Sequence, residues 1–135
     1  MTESENLLSV QDLAEKFQVS THIIYRLYDK GYLPVVKKIK NVHYWGKKDI
    51  IKFLVSCQIR DDLHEIITEQ HFTNGVPQLI IRKKIIKILG MDSINISYWM
   101  NNYKNFPLGY KIGGSRRWAE EDIINFVKSL KSANN

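Results

Sequence analysis

The chain repeats part of itself with a shift of 73 residues, from Pro34 onto Pro107, and this repeat constrains the fold more than any other feature. The segment "PVVKKIKNVHYWGKKDIIKFL" (34–54) aligns without a gap on "PLGYKIGGSRRWAEEDIINFV" (107–127). Eight of the 21 aligned positions are identical, which exceeds what a composition rich in Ile and Lys gives by chance. We therefore predict two copies of one module.

Each copy carries the same series of local signals. In the first copy, Ser9 is predicted to cap a helix over "VQDLAEKF", and Ser20 to cap a second helix over "THIIYRLYDK". A hairpin turn is predicted at Asn41, and "KKDIIKFLVS" begins a third helix. Helix, sharp turn, helix, hairpin and helix is the order of a winged helix-turn-helix. The predicted fold class is mainly α with small β-hairpin wings, arranged as two tandem winged helix-turn-helix modules.

The domain boundaries follow from the repeat. The first module is placed at residues 1–56 and the second at 79–135. Residues 57–78 between them are rich in acids ("RDDLHEIITEQ") and contain neither Pro nor Gly before Gly75. We predict that this segment is a helical acidic linker.

The charge distribution indicates an anionic partner. The chain has 20 Lys and Arg against 14 Asp and Glu, a net charge of +6, and residues 73–135 hold ten of the bases but only four of the acids. Residues 30–52 carry seven lysines beside Asp49. Such basic patches are typical of nucleic-acid surfaces. The single cysteine, Cys57, and the lack of a signal peptide or long apolar run predict a cytoplasmic protein without membrane contact.

Two motifs resemble a known superfamily. The first copy carries the pattern "V-S-x-x-x-I-Y-R-L…G-Y-L-P…W…D-I", which resembles the excisionase and MerR-type winged-helix superfamily. The second copy, with "FP" and "GGSRRW", resembles its AlpA-like and phage-excisionase branch. The resemblance implies binding to double-stranded DNA, with the second helix of each module in the major groove and the wing on the backbone or minor groove. It also implies an accessory factor of recombination, or a transcriptional regulator, of a mobile genetic element.

Carried over residue by residue, the resemblance implies two sets of DNA-contacting residues. On the recognition helices these are Thr21, His22, Tyr25, Arg26, Asn95, Tyr98 and Asn102. On the wings they are Lys37, Lys38, Lys40, Asn41, His43, Lys111, Gly113, Gly114, Ser115, Arg116 and Arg117. The helices are expected to bury Ile23, Leu27, Ile96 and Met100, with Ile24 as a further candidate for the buried face.

The second wing and the tryptophans invite specific predictions. The glycine pair before Arg116 and Arg117 would let their guanidiniums approach a phosphate closely, and strand alternation would let only one of them reach DNA directly. Trp45 and Trp118 recur before a helix and are expected to lie in the core. Trp99 is expected on an exposed face, in contact with a protein partner or between the modules.

A second class of function stays open. The second recognition helix has no basic residue from Ser93 to Asn102, so the chain could instead be a protein-interaction adaptor that binds a recombinase, replication or terminase protein. Homo-oligomers on DNA also stay open. The histidines and Cys57 lack the spacing of metal ligands, and no nucleophile stands beside a base. We therefore predict no metal, no cofactor and no enzymatic activity.

Overall fold

The same order of elements occurs twice in the structure, a computed structural model that describes residues 7–34, 37–90 and 93–133, including their side chains except those of 93–95 and 132–133. The first unit consists of β1 (Leu7–Ser9), α1 (Val10–Phe17), α2 (Thr21–Asp29), β2 (Lys37–Ile39), β3 (Val42–Gly46) and α3 (Lys47–Cys57). The second unit consists of β4 (Leu79–Ile80), α4 (Arg82–Leu89), α5 (Ser93–Asn102), β5 (Tyr110–Ile112), β6 (Ser115–Ala119) and α6 (Glu120–Ala133).

The fold is mixed α/β, with six α-helices and two small antiparallel sheets in the described part of the chain. The helices and hairpins predicted within the two units are all present. Each hairpin, however, gains a third strand that the sequence analysis missed, so that the strand orders are β1-β3-β2 and β4-β6-β5. Leu8 lies opposite Trp45 and Ile80 opposite Trp118, which places equivalent apolar pairs in the two sheets.

Local hydrogen bonds explain where the first two helices begin. Ser9 and Asp12 form a reciprocal capping box, in which the Ser9 backbone N–H donates to the Asp12 carboxylate at 2.9 Å and the Asp12 N–H donates to the Ser9 hydroxyl at 3.1 Å. The Ser20 hydroxyl accepts from the backbone N–H of Ile23 at 3.4 Å. Both predicted caps are confirmed.

The recurring Pro and Trp residues form one equivalent hydrogen bond in each unit. The indole N–H of Trp45 donates to the carbonyl oxygen of Pro34 at 3.1 Å, and that of Trp118 donates to the carbonyl oxygen of Pro107 at 3.1 Å. Both rings are 1% exposed, so their predicted place in the core is confirmed. A buried indole needs a partner for its N–H, which explains why the proline and the tryptophan recur together.

The segment between the units is not the helical linker that we predicted. Helix α3 ends at Cys57, and between residues 58 and 78 the only helical turn is a short 3-10 helix at Glu69–His71. Gln58 ends α3 because its side-chain amide is bound to the backbone of Val55 and Ile67. The Asp61 carboxylate accepts from the backbone N–H of His64 at 2.7 Å, which competes with helical hydrogen bonds.

The two units share a hydrophobic core and do not form separate globules. The cluster centred on the first unit contains side chains from the second half of the chain, namely Val76, Leu79, Tyr110, Ile112 and Ala119. The backbone N–H of Ile59 also donates to the carbonyl oxygen of Gly109 at 3.0 Å. The position of each unit is therefore fixed by buried contacts with the other.

Candidate nucleic-acid interface

Helix α2 presents a polar face beside the first hairpin, β2–β3. Its buried side is formed by Ile24 and Leu27, while Ile23 is half-buried. The sequence prediction of the inward face was therefore correct for Leu27, and Ile24 lies deeper than Ile23. The outward side chains of the helix are Thr21, His22, Tyr25, Arg26 and Asp29, all exposed.

The first hairpin carries exposed lysines on a tight turn. All residues of β2 are exposed, including Lys37 and Lys38. Lys40 and Asn41 form the turn with φ of 51° and 65°, the left-handed pair that a two-residue hairpin turn requires. The turn therefore projects Lys40 beyond the end of the strands, next to the two lysines of β2.

An aromatic cluster holds α2 against the first hairpin. The ring of His43 on β3 lies 5.2 Å from the ring of Tyr28 and 6.5 Å from that of Tyr25, and Tyr28 packs edge-on against Trp45 at 6.0 Å. His43 is half-buried in this cluster. The cluster thus gives the outward face of α2 and the lysines of the hairpin a fixed relative position.

The surface that α2 and the first hairpin form together is strongly basic, with Lys37 and Lys38 on opposite sides of β2. Arg26 and Lys30 at the end of α2, and Lys37, Lys38 and Lys40 on the hairpin, are all exposed, and none of these five forms an ion pair within the described residues. The acid among the outward residues of α2 is Asp29. Unpaired cations at the surface attract a polyanion most strongly at low ionic strength.

The second hairpin, β5–β6, lies against the first unit. Gly113 and Gly114 form its turn with φ of 57° and 88°. A Cβ atom at Gly113 would lie 2.6 Å from Cγ2 of Ile23 on α2, so the turn contacts α2 directly. Lys111 and Ser115 are exposed on either side of the turn. Helix α2 is consequently flanked by both hairpins.

The two arginines of the second hairpin bind backbone carbonyls inside the protein, whereas the sequence predicted them at a DNA surface. Nε of Arg116 donates to the carbonyl oxygen of Leu108 at 2.7 Å, and the guanidinium lies 5.5 Å from the ring centre of Trp118. Nη2 of Arg117 donates to the carbonyl oxygen of Gln18 at 2.9 Å. Burial lowers the pKa of both guanidiniums from the usual value of arginine.

Helix α5 offers little that could read bases. Tyr98 is 56% exposed, but the side-chain amide of Asn102 donates to the carbonyl oxygen of Tyr98 at 2.8 Å, and Asn95 lies outside the side chains that the structure describes. Trp99 is half-buried, with its ring 5.3 Å from that of Phe126. The prediction of an exposed Trp99 was wrong, because α6 supplies an aromatic surface that covers it.

Two of the four histidines, His64 and His71, pair with carboxylates. Nδ1 of His64 lies 2.8 Å from Asp61, and Nε2 of His71 lies 2.9 Å from Asp122. Burial raises the pKa of Asp122, while His71 opposes the rise. No group of three potential metal ligands occurs among the residues that the structure describes.

Lys30 was not predicted as a site residue, and the contact between the second hairpin and α2 was not predicted either. Lys30 follows the last turn of α2 and lines the same groove as Arg26 and the second hairpin. No signal within one repeat could have revealed this contact, because the second hairpin belongs to the other repeat.

Comparisons of the chain with family models, with curated proteins and with solved structures find no match. Within the described residues, no helix is both long enough and apolar enough to cross a membrane.

Proposed function

We propose that this protein binds double-stranded DNA through a single face of its first unit. In this proposal the units are winged helix-turn-helix modules, α2 enters the major groove, and the first hairpin lies on the backbone or minor groove. The resemblance to excisionase and MerR-type proteins suggests the biological role, an accessory factor or transcriptional regulator of a mobile genetic element.

The observation that carries the proposal is the fixed basic face. The aromatic contacts of Tyr25 and Tyr28 with His43 hold the polar face of α2 beside the exposed lysines of the hairpin. A helix supplies groups that can contact base edges, and lysines supply charge for the phosphates. A rigid arrangement of both lowers the ordering cost of binding.

The proposed binding mode differs from that of a tandem protein in which two equivalent helices read DNA, because only one helix reads bases here. Helix α5 has no basic residue, and the arginines of the second hairpin are bound to carbonyls. We therefore assign base reading to α2 alone, chiefly through Tyr25 and Arg26. The second unit supports α2 from the side opposite the first hairpin.

Salt dependence provides the test. Replacing Lys37, Lys38 and Lys40 together with Gln should reduce the slope of log Kd against log salt by about two to three, because each lysine on a phosphate releases roughly one counterion. Affinity at physiological salt should fall by roughly a hundredfold, which is what a slope lower by about two to three gives between about 1 M and about 0.15 M salt. Fluorescence anisotropy on a labelled duplex over a salt series measures both quantities.

A matched control is available in the second unit. Lys104, Lys128 and Lys131 are also exposed but lie outside the proposed face, so their triple replacement by Gln removes the same charge. Its salt slope should stay within about one of the parent. Equal slopes for the two triple variants, or no duplex binding at low salt, would contradict the proposal.

Exposed aromatics on the second unit favour a second function, that of an adaptor for a protein such as a recombinase, replication or terminase protein. Tyr98 is 56% exposed and Tyr103 is 46% exposed, and their rings lie 6.3 Å apart. Helix α5, which includes Tyr98, contains no basic residue. Exposed tyrosines are common anchors of protein interfaces.

The adaptor function predicts a separation of two activities. Changing Tyr98 and Tyr103 to Ser should abolish binding to a recombinase, replication or terminase protein that binds the parent chain, measured by calorimetry on the purified pair, and should leave duplex affinity unchanged. Retained binding of the double variant would argue against these tyrosines as the anchor.

A further inference from the structure

A groove runs between α2 and the turn of the second hairpin. Its volume is about 680 Å³, and both units contribute to its walls. The apolar residues that line it are buried or half-buried, and they are Ile23, Leu27, Phe53, Cys57 and Ile59. We call it the junction groove.

The charged side chains around the junction groove are all basic. Arg26 and Lys30 lie on the α2 side and Lys111 on the side of the second hairpin, and all three are exposed. No carboxylate is present among the described residues that line the groove, and none of the three bases forms an ion pair there. The groove therefore combines an apolar floor with a cationic rim.

The polar groups in the floor already have partners. The side-chain amide of Gln58 is bound to Val55 and Ile67, and the hydroxyl of Ser56 donates to the carbonyl oxygen of Phe53 at 2.5 Å. A ligand in the floor thus finds the side-chain polar groups of Gln58 and Ser56 already hydrogen-bonded. A DNA phosphate placed on this floor would lose hydration without compensation, whereas apolar side chains would gain by burial.

We propose that the junction groove binds a short acidic segment of a partner protein. One or two apolar side chains of the segment fill the floor, and its Asp or Glu residues lie against Arg26, Lys30 and Lys111. An apolar strip flanked by acids is the complement of this surface in both shape and charge. This binding goes beyond the proposed DNA function, with which it shares Arg26 and Lys30.

Selection from a displayed library of short random peptides on the full chain tests the proposal. Enriched peptides should carry Asp or Glu around Leu, Ile, Met or Phe. A labelled synthetic copy of the best one should bind at least about tenfold more weakly when Lys30 and Lys111 are both changed to Glu, because attraction becomes repulsion at two rim positions. Changing Lys104 and Lys128 to Glu alters the net charge by the same amount at positions outside the groove. This control should leave the peptide affinity within about threefold of that of the parent chain.

The rate at which the Cys57 thiol is alkylated shows directly whether a ligand occupies the floor of the junction groove. Cys57 is the only cysteine of the chain, and burial raises the pKa of its thiol to about 11. The rate of alkylation by iodoacetamide should rise with pH up to about pH 11 in the folded chain, because the pKa of the thiol lies at about 11 and not at the usual 9.0. At pH 9 the bound peptide should slow alkylation at least about fivefold, as expected for a largely occupied site.

Two results would overturn the proposal. One is a selection without acidic and apolar enrichment. The other is protection of Cys57 by duplex DNA, with duplex affinity lost when Lys30 and Lys111 become Glu, which would assign the groove to DNA. Failure here is distinguishable from failure of the DNA function, because that function depends on the lysines of the first hairpin, which lie outside the groove.

Discussion

Replacing Gly109 with Ala is expected to reduce the free energy of unfolding by at least about 3 kcal/mol, since strain and overpacking add at this position. Gly109 has φ of +82°, a conformation that costs any L-residue energy. An added Cβ would also lie 2.4 Å from the carbonyl oxygen of Arg117 and 3.1 Å from Cδ1 of Trp118. Neither neighbour can move easily, because one is backbone of β6 and the other is a buried ring.

Urea denaturation followed by circular dichroism measures this loss, and Gly114 provides the matched control. Gly114 also has a positive φ, +88°, but a Cβ there meets no atom within 4 Å. Gly114→Ala should therefore show the strain alone, about 1 kcal/mol. Similar losses for the two variants would contradict the close contact between Gly109 and β6.

The sequence predicted those parts of the fold that depend on neighbouring residues. Helix caps at Ser9 and Ser20 and the turn at Asn41 follow from short-range chemistry, and all three are present. Strands β1 and β4 were missed because they contain three and two residues, too few to show an alternating pattern. The linker was misjudged because its helix-permitting composition is overridden by the side chains of Gln58 and Asp61.

In the candidate site as well, features of a single helix could be predicted, whereas contacts between residues far apart in the sequence could not. The outward residues of α2 could be predicted from the family resemblance, and all of them are exposed, although Ile24 is buried more deeply than the predicted Ile23. The partners of Arg117 could not, because Phe17 and Gln18 lie about a hundred residues earlier in the chain. An arginine pair after two glycines looks the same in sequence whether it faces a phosphate or a carbonyl oxygen.

Residues that differ between the two repeats can have a functional or a structural reason to differ. Gly113, Arg116 and Arg117 do not recur in the first copy, which suggested that they carry the special chemistry of the second. In the structure, Gly113 and Arg117 contact the first unit instead. The second hairpin docks on α2 of the first unit, so residues of the second copy that form this junction have a structural reason to differ from the first copy.

Arg117→Met should decide between these two interpretations. The guanidinium donates to the carbonyl oxygens of Phe17 and Gln18 at 3.2, 3.3 and 2.9 Å, where the end of α1 leaves carbonyls without helical partners. Its removal should lower the free energy of unfolding by about 2 kcal/mol, because charge-assisted hydrogen bonds are lost at the junction of the units. Arg117→Lys should recover part of this loss, since a cation near the helix end is retained.

Lys111→Met is the control, because Lys111 is exposed on the neighbouring strand β5 and this substitution removes the same charge as Arg117→Met. Its effect on the free energy of unfolding in urea should stay within about 0.5 kcal/mol. A salt series on a duplex completes the comparison: if Arg117 held a phosphate, Arg117→Met would reduce the salt slope by about one and leave stability unchanged. We expect the reverse, a stability loss with the slope retained, because within the described residues the hydrogen bonds of this guanidinium all end on backbone carbonyls.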